Sequence, residues 1–201
     1  MSKHGENTLR KQNARKTKLA LYDATIELIN EKGYENVSIA DITRRANCGV
    51  GTFYGHFKSM KEVLEYSLER YDEVAEAAYE KTREIEDFDE RFMQFFIEDY
   101  KGTEDFGKGT IRAMYATNLM HSRLEMNKSS RKVCIYIEEM VQCGIDSGRL
   151  SDQYTAAEYA EDIEVYLMGV DIDWSCSVNE MDIVEYTRRK IQRLLDGLLK
   201  R

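Results

Sequence analysis

The residues that most resemble a reactive or binding motif form a glycine-rich segment near the middle of the chain. It runs from Gly102 to Thr110 as G-T-E-D-F-G-K-G-T and nearly spells the phosphate-binding P-loop, G-x-x-x-x-G-K-[ST]. The residue after Lys108 is glycine, however, and the threonine hydroxyl comes one place late. A P-loop also follows a β-strand, whereas the residues before this segment have helical periodicity. We therefore interpret residues 101–109 as a loop between helices, with a nucleotide-using helical enzyme as the alternative.

A second glycine-rich segment, residues 48–55, also fails to match a reactive motif. It reads C-G-V-G-T-F-Y-G, and Tyr54 stands where the dinucleotide-binding pattern G-x-G-x-x-G requires glycine. Cys48 and His56 are a nucleophile and a base close in sequence, but no third residue completes a triad. The many acidic residues have the spacing of solvated helix faces. The sequence thus contains no recognisable active site, and we expect no enzyme activity, no cofactor and no bound metal.

The elements that would position these residues read as helices. The 201 residues include no proline, which breaks helix interiors, and no stretch alternates apolar and polar residues with a period of two. Apolar types make up 42% of the chain, and its 13 Tyr, 7 Phe and 1 Trp argue against a disordered protein. The sequence therefore predicts an all-α protein of about nine helices.

The net charge of −8 is distributed unevenly along the chain. Residues 1–61 hold 11 basic and 6 acidic side chains, a net of +5, whereas residues 62–201 hold 18 and 31, a net of −13. The total charge alone would argue against a nucleic-acid partner. The basic first segment instead indicates such a partner for the N-terminal end of the chain.

The cysteines and the polar N-terminus indicate a cytoplasmic protein. Cys48, Cys134, Cys143 and Cys176 include no Cys-x-x-Cys pair, and we interpret them as buried free thiols. Their spacing does not fit a zinc site. The first residues do not form a signal peptide, and no run approaches the roughly 20 apolar residues that span a bilayer. We expect no membrane partner.

The basic end is predicted to form a helix-turn-helix. A polar arm, residues 1–14, is expected to fray before a helix over about residues 15–32. Ser38 has the position of a cap for a first short helix, and Asn47 can adopt the left-handed conformation of a turn. A second short helix, about residues 50–56, follows at once. Two short helices joined by a tight turn and packed on a longer one form this motif.

The rest of the chain contains further helix start signals. Ser59, Asp87 and Thr155 are each followed three residues later by glutamate, the pattern of an N-terminal cap. The apolar periodicity then predicts helices over about residues 60–85, 88–100, 110–120, 126–147, 155–175 and 180–200.

Residues 15–65 resemble the DNA-binding domain of the tetracycline-repressor (TetR) family of bacterial transcription regulators. The matching residues are Gly33, Tyr34, Ser38, Ile42, Ala46, the run G-T-F-Y-G-H-F-K-S from Gly51 to Ser59, and Glu62, Val63 and Leu64. This segment is about the first third of the chain, and the length and helix number of the whole chain are also typical of the family. The resemblance implies two domains, a helix-turn-helix domain with a basic arm over residues 1–60 and a helical effector-binding and dimerisation domain over residues 61–201.

Three residues depart from the family pattern. Met60 stands where the family usually has a phosphate-contacting lysine, although Lys61 is next to it. Asn47 replaces the usual turn glycine, and Gly49 replaces a common Ser/Thr helix cap. Because the second short helix has few specific hydrogen-bond donors, we expect DNA shape and phosphate contacts to contribute much of the recognition.

The resemblance also implies which residues meet DNA. The second short helix would enter the major groove, and basic residues would contact the phosphates. The residues expected to contact DNA, or to support those contacts, are Arg15, Lys16, Ser38, Gly49, Val50, Thr52, Phe53, Tyr54, His56, Lys58 and Lys61.

For the second domain the resemblance implies a dimer and a ligand pocket. The last two helices would pair with their copies through Leu167, Trp174, Ile183, Ile191, Leu194 and Leu198. A pocket between the middle helices would use residues of mixed aromatic and polar character, namely Phe92, Phe96, Tyr100, Met114, Tyr115, Asn118, Tyr136 and Met140. Nearby Glu98, Asp99, Glu138 and Asp171 would favour a cationic ligand, although an ordinary core and a solvated acidic face remain alternatives.

We conclude from the sequence that the chain is a homodimeric regulator that binds double-stranded DNA at a near-palindromic operator. The expected mode is repression that a small-molecule effector relieves. The alternative is an acidic helical interaction protein of the same fold without inducer control.

Overall fold

All regular structure in the described part of the chain is helical. A computed structural model describes residues 3–120, 131–178 and 181–199, with side chains over 8–120, 131–178 and 181–197. These ranges contain nine α-helices and no strand, and none of the helices is long and apolar enough to cross a membrane. The α-helices are α1 (Lys3–Lys32), α2 (Ile39–Arg45), α3 (Val50–His56), α4 (Met60–Thr82), α5 (Phe88–Thr103), α6 (Gly107–Met120), α7 (Lys132–Asp146), α8 (Ala156–Cys176) and α9 (Ile183–Leu199). The predicted all-α class of about nine helices is confirmed.

The chain divides into two compact units. The N-terminal unit is Met1–Tyr66 and the C-terminal unit is Ser67–Arg201. The assignment of DNA binding to residues 1–60 and of effector binding and dimerisation to residues 61–201 stays a prediction.

Local side-chain bonds set the helix ends of the N-terminal unit. The Oγ of Ser38 accepts a hydrogen bond from the Asp41 amide at 3.2 Å, and the Asp41 carboxylate accepts one from the Ser38 amide at 3.3 Å. Asn47 has φ 50° at the turn between α2 and α3, the left-handed conformation that asparagine tolerates. Gly33 ends α1 with φ 83°, and its amide donates to the Ile29 carbonyl. These predicted helix ends are confirmed.

The N-terminal arm is not frayed as predicted, because α1 already begins at Lys3. Residues 8–18 contain neither proline nor glycine and consist mostly of good helix formers, so nothing in them stops the helix. The side chains of residues 8–16 are all exposed. Arg15 and Lys16 therefore lie within one continuous, solvated helix.

Aromatic and aliphatic side chains form the core of the C-terminal unit. In it α5 packs against α9, and α8 packs against both α6 and α7. Phe92, Phe95 and Phe96 of α5 are fully buried in this core. Burial of each such ring stabilises the fold by about 1.5–3 kcal/mol. The core fixes helices α5 to α8, which together with α4 and Arg131 line the cavity described below.

Two predicted helix starts are also confirmed in the C-terminal unit. The Asp87 Oδ1 accepts from the Glu90 amide at 2.9 Å at the start of α5. At the start of α8 the Thr155 Oγ1 accepts from the Glu158 amide at 3.3 Å, and the Glu158 carboxylate accepts from the Thr155 amide at 2.8 Å. The start predicted for α7, at Met126, lies outside the described residues.

The glycine-rich segment is largely helical, contrary to the predicted loop. Helix α5 continues to Thr103, one 3-10 turn covers Glu104–Phe106, and α6 begins at Gly107 with φ 68°. A Cβ atom at Gly102 would clash with the Val74 side chain, so glycine here allows close packing of α5 on α4. The glycines thus have packing and turn roles, and tertiary contacts overcome the local tendency to form a loop.

All four cysteines are free, but their burial differs from the prediction. Cys134 is buried and Cys48 is partly exposed. Cys143 and Cys176 are exposed, because they lie on the outward faces of α7 and α8. The expectation of buried thiols is therefore wrong for these two residues.

Candidate nucleic-acid interface and ligand cavity

Helix α3 has one face in the core of the N-terminal unit and one face in solvent. Phe53 is 0% exposed and Phe57, which follows the helix, is also buried. Tyr54 is 56% exposed and Val50, one turn earlier, is 49% exposed. The aromatic core therefore supports α3 from beneath while Val50 and Tyr54 project side by side from its outer face.

Two glycines of α3 leave parts of its outer face without side chains. Gly51 and Gly55 are exposed, and a Cβ atom built at either would meet no atom within 4 Å. The backbone of α3 can therefore approach a surface closely between the two projecting side chains. This shape suits the floor of a DNA major groove, which admits an α-helix.

An aromatic cluster links α3 to α1 and to the start of α4. The Phe53 and Phe57 ring centroids are 5.9 Å apart, and the Tyr66 ring lies 5.8 Å from Phe57 and 5.4 Å from Tyr22. The Lys18 ammonium lies 3.7 Å from the centroid of the Tyr66 ring, a cation–π contact. These contacts fix the orientation of α3 within its unit.

Ion pairs hold α2 against α1. The Arg45 guanidinium donates to Glu31 at 2.8 and 2.9 Å and to Glu27 at 2.9 Å, and the Lys32 ammonium lies 2.7 Å from Asp41. Hydrogen bonds from Lys32 and from the capping serine hold the pKa of Asp41 well below its usual range. These groups are exposed and add little stability, but they constrain the register of α2 on α1.

The predicted phosphate-binding cations differ in their surroundings. Arg15, Lys16 and Lys58 are exposed. Lys61 is partly exposed and forms an ion pair with Glu65 one turn later in α4. A phosphate contact by Lys61 would therefore compete with this ion pair.

The other predicted DNA-binding residues fall into three environments. Thr52 and His56 on α3 are partly exposed. Ser38 and Gly49 are the N-caps of α2 and α3. Phe53, in contrast, is fully buried, so it can support α3 but cannot itself contact DNA. Phe53 is buried and Tyr54 is exposed because consecutive side chains of an α-helix point in different directions.

The C-terminal unit contains a cavity of about 80 Å³ lined by side chains of α4 to α8 and by Arg131. Of the eight residues predicted to bind a ligand, Tyr100 and Tyr115 line it, among the described residues. Tyr136 instead stacks on Tyr79 with ring centroids 4.2 Å apart, and the Asn118 amide donates to a main-chain carbonyl of α6. The remaining predicted residues pack in the core and are Phe92, Phe96, Met114 and Met140.

Asp171 of α8 joins two tyrosines in this cavity. Its carboxylate accepts hydrogen bonds from the Tyr100 hydroxyl at 2.8 Å and from the Tyr115 hydroxyl at 2.9 Å. Burial raises the pKa of Asp171 to about 6, against the opposing effect of these two hydrogen bonds. Burial and the Asp171 charge raise the pKa of both phenols well above the ordinary value, so the tyrosines are donors at neutral pH.

Asp99 of α5 is the second buried carboxylate of the cavity. The residue is 8% exposed, and its Oδ1 atom has no hydrogen-bond partner among the described residues. Burial raises the pKa of Asp99 to about 7, with Asp171 adding to the rise and Arg131 opposing it. Arg131 itself donates to Asp72 at 3.0 Å and to the Leu68 carbonyl at 3.3 Å.

Glu164 and Cys134 complete the polar lining. The thiol and the carboxylate are hydrogen bonded, and burial raises the pKa of both groups. A thiol with a raised pKa is a poor nucleophile. The part of the chain that the structure describes has no group of three or more His, Cys, Asp or Glu side chains able to hold a metal ion.

The predicted dimer residues lie mostly inside the core of their own unit. Those that are buried there are Leu167, Trp174, Ile183 and Ile191. Leu194 is partly buried, and the side chain of Leu198 lies outside the described residues. The exposed apolar face of α8 consists instead of Val165, which is 56% exposed, and Ile172, which is 37% exposed, with the exposed Gly169 between them. Their spacing of four and three residues puts them on one side of the helix.

Comparison with known proteins gives a family match for the N-terminal unit. Residues 21–66 match the family model described as bacterial regulatory proteins, tetR family. A stretch of 48 residues is 42% identical to the uncharacterized HTH-type transcriptional regulator YwcC of Bacillus subtilis (strain 168). This match covers 24% of the chain and only 22% of that curated relative.

Solved structures share the fold over most of the chain. The TetR family transcriptional regulator PfmR from Thermus thermophilus has a TM-score of 0.67 and 20% identity, covering 89% of this chain and 98% of its own. The transcriptional regulator FadR from Bacillus subtilis, solved in complex with stearoyl-CoA, has a TM-score of 0.66 and 18% identity over the same shares. At these identities the similarity establishes the fold alone.

Proposed function

We propose that this chain is a DNA-binding transcriptional regulator. The proposal follows from the match of residues 21–66 to the TetR family. In this role α3 enters the major groove, and the basic residues of the N-terminal unit contact phosphates. A regulator of this kind works where the chromosome is, in the cytoplasm, and it binds ligands rather than catalysing a reaction.

The observation that carries the proposal is the outer face of α3. Tyr54 and Val50 project from a helix that Phe53 anchors in the core, and glycines flank them. The phenol hydroxyl suits a phosphate oxygen, and an apolar side chain suits the methyl group of thymine. An exposed aromatic ring on a rigidly supported short helix has little value to folding itself, which favours a role in recognition.

We further propose that the protein acts as a homodimer that packs through α8 and α9. Two recognition helices spaced one DNA turn apart read a near-palindromic site, so dimerisation sets the operator symmetry. Val165 and Ile172 form an exposed apolar face on α8, and Gly169 between them allows a second helix to approach closely. This face replaces the buried residues that the sequence suggested.

We also propose that the protein represses transcription and that a small effector relieves this repression. The cavity of about 80 Å³ in the C-terminal unit offers a site for such a molecule. FadR of Bacillus subtilis, which shares the fold, was solved with stearoyl-CoA bound, which supports ligand binding as a use of this fold. An effector that binds better to the form with weak DNA affinity would release the operator, and the coupling acts equally in both directions.

Selection from a pool of randomised duplexes tests the proposal. The protein is expected to enrich a near-palindrome whose half-sites lie one helical turn apart. Tyr54→Ala should weaken binding to the enriched duplex by at least about tenfold. Tyr154→Ala is the matched control, because Tyr154 is also an exposed tyrosine but lies in the C-terminal unit. No enrichment of any sequence would contradict the proposal and favour an interaction protein of the same fold.

A further inference from the structure

The cavity of the C-terminal unit is lined by a buried carboxylate, one oxygen of which has no hydrogen-bond partner among the described residues. Asp99 is nine-tenths buried and lines the cavity, and no described residue hydrogen bonds to its Oδ1 atom. Asp171, in contrast, is satisfied by two tyrosine hydroxyls at 2.8 and 2.9 Å. Buried polar groups are nearly always paired, so the described part of the chain leaves a place for a hydrogen-bond donor beside this oxygen.

The charges around the cavity leave a surplus of negative groups. Arg131 contributes a positive charge to the lining, but it pairs with Asp72 at 3.0 Å, and Asp72 does not line the cavity. Even with the Arg131 charge counted, the lining has three carboxylates, those of Asp99, Asp171 and Glu164, against one cation. A buried carboxylate is costly unless it is protonated, accepts hydrogen bonds or lies close to a cation.

Most of the remaining lining of the cavity is apolar or aromatic, and these side chains form its walls. They include Tyr71, Tyr100 and Tyr115 together with Val133, Leu167 and Met168. Aromatic faces attract organic cations, and aliphatic walls need an apolar molecular body to fill them. A bare metal ion would leave these walls uncovered, whereas an alkylammonium group would satisfy both features.

We propose that this cavity binds a small organic cation, a primary ammonium or amidinium on a short apolar body, whose charged end hydrogen bonds to Asp99. The charged group would lie between Asp99 and Asp171, and the apolar body would contact the aromatic and aliphatic walls. Binding of the cation does not depend on the proposed function. Only its consequence, that the bound cation acts as the effector, rests on that function.

The volume limits the size of this cation. A single water molecule needs roughly 10–15 Å³ of cavity space. The cavity of about 80 Å³ therefore holds only a few non-hydrogen atoms unless side chains move. Short alkylamines are of this size. Long-chain acyl thioesters and fused aromatic dyes exceed it.

Binding of n-butylamine and of 1-butanol to the full chain tests the inference. The two molecules have the same size and shape but differ in charge, because an alkylamine is protonated at pH 8. Calorimetric or ligand-observed NMR titration is expected to give at least about tenfold tighter binding of the amine. In Asp99→Asn this preference should disappear. The matched control Asp162→Asn, which changes an exposed aspartate of α8, should keep it.

The outcomes distinguish this inference from the proposed function. Equal binding of amine and alcohol, or an amine preference that survives in Asp99→Asn, would overturn it. Circular dichroism should show that Asp99→Asn is folded, since the substitution keeps the size of the side chain and removes a buried ionisable group. Failure of amine binding in a protein that still selects a palindromic duplex would contradict the cation site alone. Amine binding without any DNA selection would instead contradict the proposed function.

Discussion

Phe53 and Tyr54 are neighbours in α3 whose rings meet edge to face, with centroids 5.6 Å apart, yet they face opposite environments. Phe53 is completely buried, whereas Tyr54 is 56% exposed. One residue therefore anchors the helix and the other is available to a partner. Substitutions at the two positions should therefore affect different properties, stability at Phe53 and DNA binding at Tyr54.

We expect Phe53→Ala and Tyr54→Ala to affect different properties. Phe53→Ala should lower the free energy of unfolding by about 3–5 kcal/mol, because it leaves a cavity in the core. Tyr54→Ala should change stability by less than about 0.5 kcal/mol while weakening DNA binding. Urea unfolding and fluorescence anisotropy with a labelled duplex measure the two quantities. A large loss of stability in Tyr54→Ala would contradict this assignment.

Lys58 is expected to act through a phosphate contact. It is exposed at the end of the helix-turn-helix, and its removal should weaken binding to all duplexes similarly. The slope of log affinity against log salt concentration should fall by about one unit. Lys101→Ala, at an exposed lysine of the C-terminal unit, is the control and should leave the slope unchanged. An unchanged slope in Lys58→Ala would contradict the phosphate contact.

A charge on the exposed face of α8 is expected to disrupt the dimer. Val165→Glu should shift the protein toward monomer in sedimentation velocity, because it would bury an unpaired carboxylate at the interface. Val178→Glu offers the matched control, since Val178 is fully exposed just beyond the end of α8. If Val165→Glu sediments like the control, the dimer does not use this face of α8.

The buried carboxylates should make stability depend on pH. The pKa of Asp99 rises on folding from 3.8 to about 7, so the folded chain binds more protons than the unfolded chain in this window. The free energy of unfolding should therefore fall as the pH rises from about 4 to about 7. Asp171, Asp72 and Arg131 are the charged neighbours of this group, and Asp171 contributes a smaller slope of the same sign.

Asp99→Asn provides the check on this pH dependence. The variant should lose most of the slope and be more stable than the unmodified chain at pH 8, by on the order of 1–2 kcal/mol. Asp162→Asn should leave the curve unchanged, because its carboxylate is exposed. Chemical unfolding at pH 5, 6, 7 and 8 measures the effect. Parallel curves for the Asp99 variant and the unmodified chain would contradict the burial of an ionisable Asp99.

Features that depend on local chemistry could be predicted from the sequence. Ser38, Asp87 and Thr155 cap helices because their side chains reach an amide only three residues away. The turn at Asn47 likewise depends on one residue's backbone preference. The helix-turn-helix was therefore predictable in outline. The segment around Gly102 was not, because its contact with Val74 joins residues distant in sequence.

The cavity could be predicted only in part. Phe92, Phe96 and Asp99 lie on one stripe of α5, and an aspartate on a buried stripe was a signal of a functional group in the core. Apolar type and spacing alone do not distinguish a cavity wall from a filled core, so Phe92 and Phe96 were assigned to the pocket. For the same reason, Leu167 was assigned to a dimer interface although it packs within its own unit.

The most direct test of the central claim is the ratio of affinities for the selected duplex and for a random duplex of equal length. Fluorescence anisotropy at physiological salt measures both. A sequence-specific regulator should bind its selected site at least about 10³-fold more tightly, and Tyr54→Ala should reduce that ratio while Tyr154→Ala leaves it intact. Equal weak binding of the two duplexes, unchanged in Tyr54→Ala, would contradict the assignment of this chain as a sequence-specific DNA-binding regulator.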